Sequence, residues 1–265
     1  MMAGSEAKVA AREGGDGSVA NVGVLPITML PISNWGLKLD IGNTDNIFTK
    51  LVYYRPMSNK AYIFDMDGVL VNNCRYHVLA WRVFSKKHGF ELTDEQVLEW
   101  MGAANRVYME RLLGRPVSDD ELAALENEKE SLYRELYAPH RRIPDGLRAF
   151  LDRAHAADIP CGVATGAPEQ NITFILDGLD LRRDFRCVVD PTQYSHSKPA
   201  PDCYLCAAAL LGVAPANCTV FEDAVAGIQA AHAAGMRVVA ITTTNPRATL
   251  QSAGADRIID SFAEL

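Results

Sequence analysis

From Lys60 to the end of the chain, short apolar segments rich in β-branched and aromatic residues alternate with longer amphipathic segments. The short segments are AYIFDMD, IPCGVATG, RCVVDP, CTVFEDA, RVVAITTT and DRIID. Most are separated by helical patterns that end in glycine, the common residue just past a last helical turn. Strands that alternate with helices in this way predict an α/β fold, a parallel sheet with helices on both faces.

One separation between predicted strands is too long for a simple crossover. Residues 73–142 contain no strand signal but several amphipathic helical patterns, RYHVLAWRVFSKKHG, TDEQVLEWMG, RVYMERLLG and DDELAALENEKESLYRELY. Pro139 and Pro144 mark the return of the chain to the sheet. We therefore expect an α-helical cap, residues 73–142, inserted into a core formed by residues 57–72 and 143–265.

The first 56 residues differ in composition from the rest of the chain. They mix Gly, Ser, Asn and Pro with short apolar patches and show no sustained period, so we expect a disordered or loosely attached arm. Met57 stands where a compact domain of this kind would begin, which leaves a non-native extension as the alternative. The apolar run VGVLPITMLPI is interrupted by two prolines and lacks a clear small-residue cleavage site, which does not favour a signal peptide.

Composition narrows the choice of partners and compartment. A formal net charge of -7 argues against nucleic acids and anionic membranes, which need a basic face. The six cysteines lack the density of a disulfide framework, and the CxxC of Cys203 and Cys206 lies in a helical pattern, so we interpret it as two small core residues. Cysteines without a disulfide framework are typical of a reducing compartment, so we expect a cytoplasmic protein. No apolar run reaches membrane-spanning length. We further expect a monomer or weak homo-oligomer with a small phosphorylated substrate.

Polar residues gather at the carboxyl ends of the predicted strands, where open parallel sheets bind ligands. The residues at or just after the strand ends are Asp65, Asp67, Gly68, Thr165, Gly166, Glu222 and Asp223. Lys198 joins them from the SHSKPAPD loop. Carboxylates gathered so closely repel one another unless a positive charge lies between them. Oxygen ligands suit Mg²⁺. The expected ligands are Asp65, Asp67 through its backbone carbonyl, Glu222 and Asp223.

The same residues make chemical sense as a site of phosphoryl transfer. Asp65 would attack phosphorus and form an aspartyl-phosphate. Asp67, offset by two residues, would protonate the leaving oxygen and later take a proton from the attacking water. Donors to the phosphoryl oxygens are expected from the side chains of Thr165 and Lys198 and from backbone N–H groups around Met66 and Gly166. Gly68 and Gly166 are therefore included among the expected substrate-binding residues.

Each of these features has an ordinary explanation when taken alone. Asp-x-Asp-Gly occurs in calcium loops and in turns. Thr165 is a candidate N-cap for a helix that has Pro168 near its start, and Glu222 with Asp223 could cap the following helix. A lone Lys198 would most often be a solvated surface residue. Their joint occurrence, each at a strand end, is what favours a catalytic site.

From about Met57 to Leu265 the chain resembles the haloacid dehalogenase superfamily, and within it the β-phosphoglucomutase-like branch of sugar-phosphate phosphatases and mutases. FDMDGVL, VATGAP, SKPAPDCYL and VFEDAVAGIQAAHAAGM look like its four motifs. The resemblance implies a Rossmann-like core with a helical cap, dependence on Mg²⁺, Asp65 as nucleophile and Asp67 as acid and base.

The resemblance also places three cap residues, His77, Trp81 and, less securely, Lys129, in the region that such enzymes use around hinge closure. We therefore include His77 and Trp81 among the expected substrate-binding residues. Spacing alone leaves a second interpretation of His77 open, a satisfied and partly buried structural histidine.

Two positions depart from the pattern of the mutases in this branch. Asn105, with Arg106 beside it, stands where the mutases carry a phosphate-gripping arginine, and Pro168 and Glu169 stand where they present a Lys-Asn pair. Because a mutase must hold a second phosphate, these departures favour hydrolysis, although Arg106 could still take the gripping role. We expect the cap to select the leaving group through Asn105, Arg106 and Tyr108.

The sequence therefore predicts a Mg²⁺-dependent phosphomonoesterase that acts through Asp65 on a small phosphorylated metabolite, a sugar or polyol phosphate. β-Phosphoglucomutase activity is the nearest alternative. Enzymes that cleave pyrophosphate or remove halogens share this fold and are further alternatives. Dehalogenation is disfavoured because it would leave Asp67 and the acidic cluster without a role. A non-catalytic binding module is disfavoured because every catalytic position is filled.

Overall fold

The computed structural model describes residues 36–40, 50–54, 58–100 and 105–265. The chain divides into two compact units, Met1–Arg55 and Pro56–Leu265. In the first unit, strands β1 (Gly36–Asp40) and β2 (Lys50–Tyr54) pair antiparallel. The sequence pattern did not predict this pair. The rest of the expectation for residues 1–56 falls outside the described residues and stays a prediction.

The second unit contains a six-stranded sheet whose neighbours all pair in parallel. Its strands are β3 (Ala61–Phe64), β4 (Cys161–Ala164), β5 (Cys187–Val189), β6 (Cys218–Glu222), β7 (Arg237–Ile241) and β8 (Arg257–Ile259). Each lies in one of the six predicted segments. The spatial order is β5-β4-β3-β6-β7-β8, so the chain builds outward on one side of β3 and then on the other. Such a reversal creates a crevice beyond the strand ends, here between β3 and β6.

Helices fill the connections between these strands. Between β3 and β4 lie α1 (Cys74–Lys87), α2 (Asp94–Trp100), α3 (Asn105–Leu113) and α4 (Asp119–Tyr137). The remaining helices are α5 (Leu147–Ala156), α6 (Glu169–Leu176), α7 (Asp202–Leu211), α8 (Val225–Ala233) and α9 (Arg247–Ser252). We call α1–α4 the cap and the remainder of this unit the core. The four cap helices occupy the long insertion that the sequence pattern predicts.

The central strand β3 is buried on both faces because successive side chains of a strand point in opposite directions. Phe64 packs into one hydrophobic cluster, where it stacks on Phe221 with ring centroids 4.7 Å apart. Its neighbour Ile63 packs into a second cluster with Tyr204 of α7. Burial of each such side chain contributes about 2 kcal/mol. The two clusters hold the end of β3 in a fixed position.

The cap has a smaller hydrophobic cluster of its own. Val78, Trp81 and Phe84 follow one another at helical spacing on α1 and are all buried. Tyr108 of α3 packs against them. At the start of α4, Ser118 accepts a hydrogen bond from the backbone N–H of Glu121, as an N-cap residue does. These local features explain why the insertion folds as helices.

The six cysteines all lie among the described residues and are free of disulfides. Cys203 of α7 is buried and Cys206 packs against the same cluster, which matches the expectation of two small core residues. In the described parts of the chain, the helices fall short of the length and apolarity that a membrane crossing requires.

Candidate active site

The carboxyl ends of β3, β4 and β6 bring the predicted acidic and hydroxyl residues to one edge of the sheet. Asp65 directly follows β3, and its backbone N–H donates to Phe221 O of β6 at 3.0 Å. Thr165 directly follows β4, while Glu222 is the last residue of β6 and Asp223 follows it. Because β3 lies between β4 and β6, these side chains come from adjacent strands. The convergence is the one expected from the sequence.

Lys198 bridges two carboxylates at this edge. Its Nζ donates to Asp65 Oδ1 at 2.6 Å and to Glu222 Oε1 at 2.7 Å. Burial alone would lower the pKa of Lys198, but these two carboxylates raise that pKa well above its ordinary value. Lys198 is therefore a fixed positive charge inside the site rather than a solvated surface lysine.

Glu222 holds Lys198 instead of pointing a free oxygen toward a cation. Its Oε1 accepts from Lys198 and, at 2.6 Å, from the hydroxyl of Tyr204. Its Oε2 accepts the backbone N–H groups of Asp223 at 2.9 Å and Ala224 at 3.0 Å. Burial would raise the pKa of Glu222, but Lys198 holds that pKa below its ordinary value. The predicted role of Glu222 as a metal ligand does not fit this geometry, because all four acceptor positions are occupied.

Two other carboxylates at the edge are buried and poorly compensated. Burial raises the pKa of Asp65 to about 7, with Lys198 opposing the rise and Glu222 adding to it. Burial, with the charges of Glu222 and Asp65, also raises the pKa of Asp223 well above its ordinary value.

Gly68 lies against Asp223 with φ +83°, and a Cβ there would meet Asp223 Oδ2 at 1.8 Å. The loop after β3 therefore requires glycine at this approach.

The donor set at the edge fits Mg²⁺. Among the described residues, no group of three or more His, Cys, Asp or Glu side chains is arranged to hold a metal ion by itself. Mg²⁺ does not need such a group, since it keeps several waters and takes one or two carboxylates together with a substrate phosphate. Asp65 and Asp223 are two carboxylates of this kind, and a cation would relieve their mutual repulsion.

Asp67 is directed toward the first residues of the cap. Its Oδ1 accepts a hydrogen bond of 2.6 Å from Asn73 Nδ2 and lies 3.8 Å from His77 Nε2. Asn73 is fully buried, and its Oδ1 accepts the backbone N–H of Gly68 at 3.1 Å. Burial would raise the pKa of Asp67, but His77, Asn73 and the charge of Lys129 hold that pKa below its ordinary value. Asp67 is therefore a carboxylate in this arrangement.

His77 links Asp67 to the cap helix α4. Its ring stacks on Tyr133 with centroids 3.8 Å apart, and Lys129 Nζ lies 3.1 Å from its Nδ1. A lysine ammonium can only donate, so we assign Nδ1 as the acceptor and place the ring proton on Nε2. Asn73 Nδ2, 3.4 Å from Nε2, donates its two hydrogens to Asp67 and Tyr133 instead. The arrangement favours a positioning role for His77 over a purely structural one.

Trp81 and Tyr108, both expected near the substrate, lie in the interior of the cap. Their rings stack with centroids 3.7 Å apart and both side chains are buried. The hydroxyl of Tyr108 donates to Val97 O at 3.1 Å, and Lys129 Nζ lies 5.0 Å from the Trp81 ring centroid. Direct substrate contact does not fit this placement, because the two rings serve as each other's packing surface. Trp81 supports Lys129 instead.

Thr165 and Gly166 form the part of the site that follows β4. Thr165 is buried, and its Oγ1 accepts the backbone N–H of Ala167 at 3.1 Å. The N-cap position of α6 is Pro168, so Thr165 is not the helix cap that was its alternative explanation. Gly166 is exposed, which places its backbone at the open edge. Both positions remain suitable for holding phosphoryl oxygens.

The donors of Arg106 are directed to other cap residues. Its Nη1 donates to Val117 O at 2.8 Å, and its Nη2 pairs with Asp119. The guanidinium also lies 3.5 Å from Glu110 Oε1. The structure thus does not bring Arg106 together with Asp65, and the phosphate-gripping alternative would require these contacts to break.

The positions that distinguish mutases carry negative or neutral groups. Asn105 begins α3, and its side chain hydrogen-bonds to Glu126 of α4. Pro168 begins the turn into α6, and the exposed Glu169 accepts a hydrogen bond of 3.0 Å from Thr173 within that helix. A cation for a second phosphate is therefore missing at each of these described positions.

A family model described as haloacid dehalogenase-like hydrolase matches residues 59–235. The chain belongs to the haloacid dehalogenase-like hydrolases. Among curated relatives, it is 31% identical over 214 residues to β-phosphoglucomutase of Bacillus subtilis, which covers 78% of this chain and 91% of that protein. It is 32% identical over 180 residues to fructose-1-phosphate phosphatase of Escherichia coli, covering 67% of this chain and 93% of that protein.

The fold agrees with solved haloacid dehalogenase-like hydrolases. A family IA, variant 3 hydrolase from Entamoeba histolytica superposes with a TM-score of 0.73 at 28% identity, over 78% of this chain and 95% of that chain. The family and the α/β fold expected from the four motifs are thereby confirmed.

Several polar residues of this haloacid dehalogenase-like hydrolase that touch the site were not singled out from the sequence. They are Asn73, Glu130, Tyr133 and Asn171. Asn73 stands at the N-cap of α1, an ordinary place for asparagine, yet it makes no capping bond and turns to Asp67. The other three lie on buried faces of α4 and α6, so polar residues at apolar positions of a helical period were the available signal.

Proposed function

We propose that this chain is a Mg²⁺-dependent phosphatase that hydrolyses a small phosphorylated metabolite, a sugar or polyol phosphate, with Asp65 as nucleophile. The observation that carries the proposal is the buried Asp65 carboxylate at the end of the central strand, 2.6 Å from Lys198 Nζ. Asp223 and Asp67 at the same edge support it. Relatives named as phosphatases, including the fructose-1-phosphate phosphatase of E. coli, support the reaction class.

In the first half of the proposed reaction, an Asp65 oxygen attacks phosphorus. The new O–P bond forms as the bond between phosphorus and the ester oxygen breaks, and the electron pair of that bond stays on the ester oxygen. A proton from the Asp67 carboxyl group neutralises this oxygen. Because Asp67 is ionised in the free enzyme, it must gain this proton as substrate binds, and the dianionic phosphate favours that gain by raising its pKa.

In the second half, water attacks the phosphorus of the aspartyl-phosphate. Asp67, now a carboxylate, takes a proton from the water, and the Asp65 carboxylate is released together with inorganic phosphate. Lys198, Thr165 and the backbone near Gly166 stabilise the phosphoryl oxygens through both halves. Asp67 then releases this proton to solvent as phosphate leaves, and the enzyme returns to its starting state.

Asp65 and Asp223 would hold the Mg²⁺ ion, with the backbone carbonyl of Asp67 as a further expected ligand. When bound, Mg²⁺ supplies the positive charge that lets a phosphate dianion approach carboxylates. Lys198 alone leaves the pKa of Asp65 raised to about 7, which supports the need for this additional charge.

Hydrolysis is favoured over isomerisation by the cap. A mutase must bind a second phosphate, yet Glu126 lies beside Asn105 and Glu169 follows Pro168, so carboxylates stand near two of the expected positions. Arg106 is paired with Asp119. β-Phosphoglucomutase activity remains the second candidate, supported by the 31% identity to the B. subtilis enzyme.

The test is phosphate release from a panel of sugar and polyol phosphates in the presence of Mg²⁺. We expect turnover by the wild type and a loss of about a thousandfold or more in Asp65→Asn, because the amide cannot act as the nucleophile. Equal turnover by the two proteins would refute the assignment. With β-glucose 1-phosphate, formation of the 6-phosphate without net phosphate release would identify a mutase.

For compartment and partners, we propose action in the cytoplasm on a small molecule, without nucleic acid or membrane, by a monomer or weak homo-oligomer. The net charge of -7 and the six unpaired cysteines support this proposal. Unchanged phosphatase kinetics after removal of residues 1–56 would show that this segment is dispensable for catalysis.

A further inference from the structure

A buried polar contact joins the cap to the core beside the site. Asn171 lies in the first turn of α6 in the core and is 1% exposed, and Glu130 lies on α4 in the cap and is 5% exposed. Asn171 Nδ2 donates to Glu130 Oε2 at 2.7 Å, and Arg134 Nη1 donates to Asn171 Oδ1 at 2.8 Å. The amide orientation is unambiguous, since its nitrogen meets a carboxylate and its oxygen meets a guanidinium.

Glu130 is connected through Lys129 and His77 to Asp67, the proposed acid and base. Glu130 Oε1 accepts from Lys129 Nζ at 2.9 Å, and Lys129 Nζ lies 3.1 Å from His77 Nδ1. His77 Nε2 in turn lies 3.8 Å from Asp67 Oδ1. The links from Asn171 to His77 are hydrogen-bond contacts of 2.7 to 3.1 Å, and the last, from His77 to Asp67, is an ion-pair distance of 3.8 Å. The position of Asn171 in the core therefore bears on which nitrogen of His77 faces Asp67.

Burial makes these contacts sensitive to one another. Glu130 and Lys129 are both almost fully buried, and a buried charge that loses a partner is strongly destabilised. Glu130 has two oxygens, one for Lys129 and one for Asn171. Without the Asn171 amide, Glu130 would have to seek another donor, and Lys129 would follow it away from His77.

We propose that Asn171 is a positioning residue, which sets the register of α4 against α6 and, through Glu130 and Lys129, keeps the protonated nitrogen of His77 toward Asp67. This role rests on the proposed function and deepens it. Asn171 does not touch the reacting atoms, and its effect is confined to the steps in which Asp67 moves a proton.

The test compares leaving groups that differ in their need for that proton. A sugar alkoxide must be protonated as it leaves, whereas p-nitrophenolate leaves without a proton. For Asn171→Ala we expect kcat/KM to fall about ten- to a hundredfold with the best sugar phosphate of the panel and less than about threefold with p-nitrophenyl phosphate. The parameter kcat/KM is the relevant one because it excludes the later hydrolysis of the aspartyl-phosphate.

Two further variants separate positioning from folding. Asn171→Asp has nearly the same shape and still accepts from Arg134, but it sets a carboxylate against Glu130, so it should show the same selective loss. Gln170→Ala changes the neighbouring exposed position of α6 and should match the wild type with both substrates. Equal losses with the two substrates in both Asn171 variants, or no loss in either, would overturn the proposal.

The ¹⁵N signals of the His77 ring provide a readout that does not depend on turnover. In the wild type we expect the pattern of a ring protonated on Nε2, and in Asn171→Asp a shift toward mixed tautomers. Unchanged signals would overturn the positioning role. If the wild type released no phosphate from any substrate, but Asn171→Asp still showed this shift, the result would count against the proposed function alone.

Discussion

Lys198 Nζ lies 2.6 Å from Asp65 Oδ1, so the proposed nucleophile is bound to a partly buried lysine 133 positions away in the sequence. The same Nζ lies 2.7 Å from Glu222 Oε1. One positive charge therefore serves two carboxylates, of which Glu222 is saturated by other donors and Asp65 is not. This inequality explains why the pKa of Asp65 is raised while that of Glu222 is lowered.

Replacement of Lys198 by methionine should impair catalysis and shift its pH dependence. Lys198 lowers the pKa of Asp65, so its removal should raise that pKa above the present value of about 7. The ionised nucleophile would then appear only at higher pH. We expect kcat/KM to fall about a hundredfold or more, and its acid limb to move to higher pH when measured at saturating Mg²⁺. Lys60→Met, at an exposed lysine, is the matched control, and an unmoved acid limb in Lys198→Met would contradict this account.

Gly227→Ala should destabilise the protein although alanine is the better helix former. Helix propensity alone predicts a gain of about 1 kcal/mol in α8. A Cβ at Gly227, however, would meet Glu222 Oε1 at 1.7 Å, and Glu222 is buried with four donors around it. We expect a net loss of about 2 kcal/mol or more in the free energy of unfolding, measured by chemical denaturation.

The control for this substitution is Gln229→Ala, at an exposed position of the same helix. Its free energy of unfolding should stay within about 0.5 kcal/mol of the wild type. A free energy of unfolding for Gly227→Ala equal to that of this control would contradict the close packing of α8 against Glu222.

Mg²⁺ affinity should rise with pH through about 7. Protons compete with the metal for carboxylates, and the pKa values of Asp65 and Asp223 are both raised, the former to about 7. Below that pH the protonated form of Asp65 dominates and binding must release its proton; above it Asp65 is already ionised. Calorimetric titration with Mg²⁺ at several pH values would measure this trend. Asp223→Asn should weaken binding about tenfold or more, and a pH-independent affinity in the wild type would contradict the assigned ligands.

Arg106→Ala should leave phosphatase kinetics within about twofold of the wild type, because the guanidinium is directed to Val117 O and Asp119 rather than to the site. The side chain is 38% exposed, so the lost ion pairs should lower stability by about 1 kcal/mol or less. Arg115→Ala removes a comparable exposed pair with Glu121 on the same cap and is the matched control. An increase of tenfold or more in KM for Arg106→Ala alone would return this residue to the substrate site.

The sequence by itself determined the six parallel strands, the helical insertion and the strand-end positions of Asp65, Thr165 and Asp223. These properties are local, since the period of apolar residues selects strand or helix and the glycines end the helices. Parallel strands all end at one edge of a sheet, so the meeting of these residues also followed from the pattern. The four motifs then led to the family.

Only the tertiary structure decided which of these polar residues became partners. Glu222 was expected to bind metal, but packing places Tyr204 and two backbone N–H groups on its oxygens. Asn73 could have capped α1, yet it bonds to Asp67, and Asn171 meets Glu130 from 41 positions away. A buried polar group takes whichever partner the packed elements bring within reach, and that choice depends on contacts that no local pattern encodes.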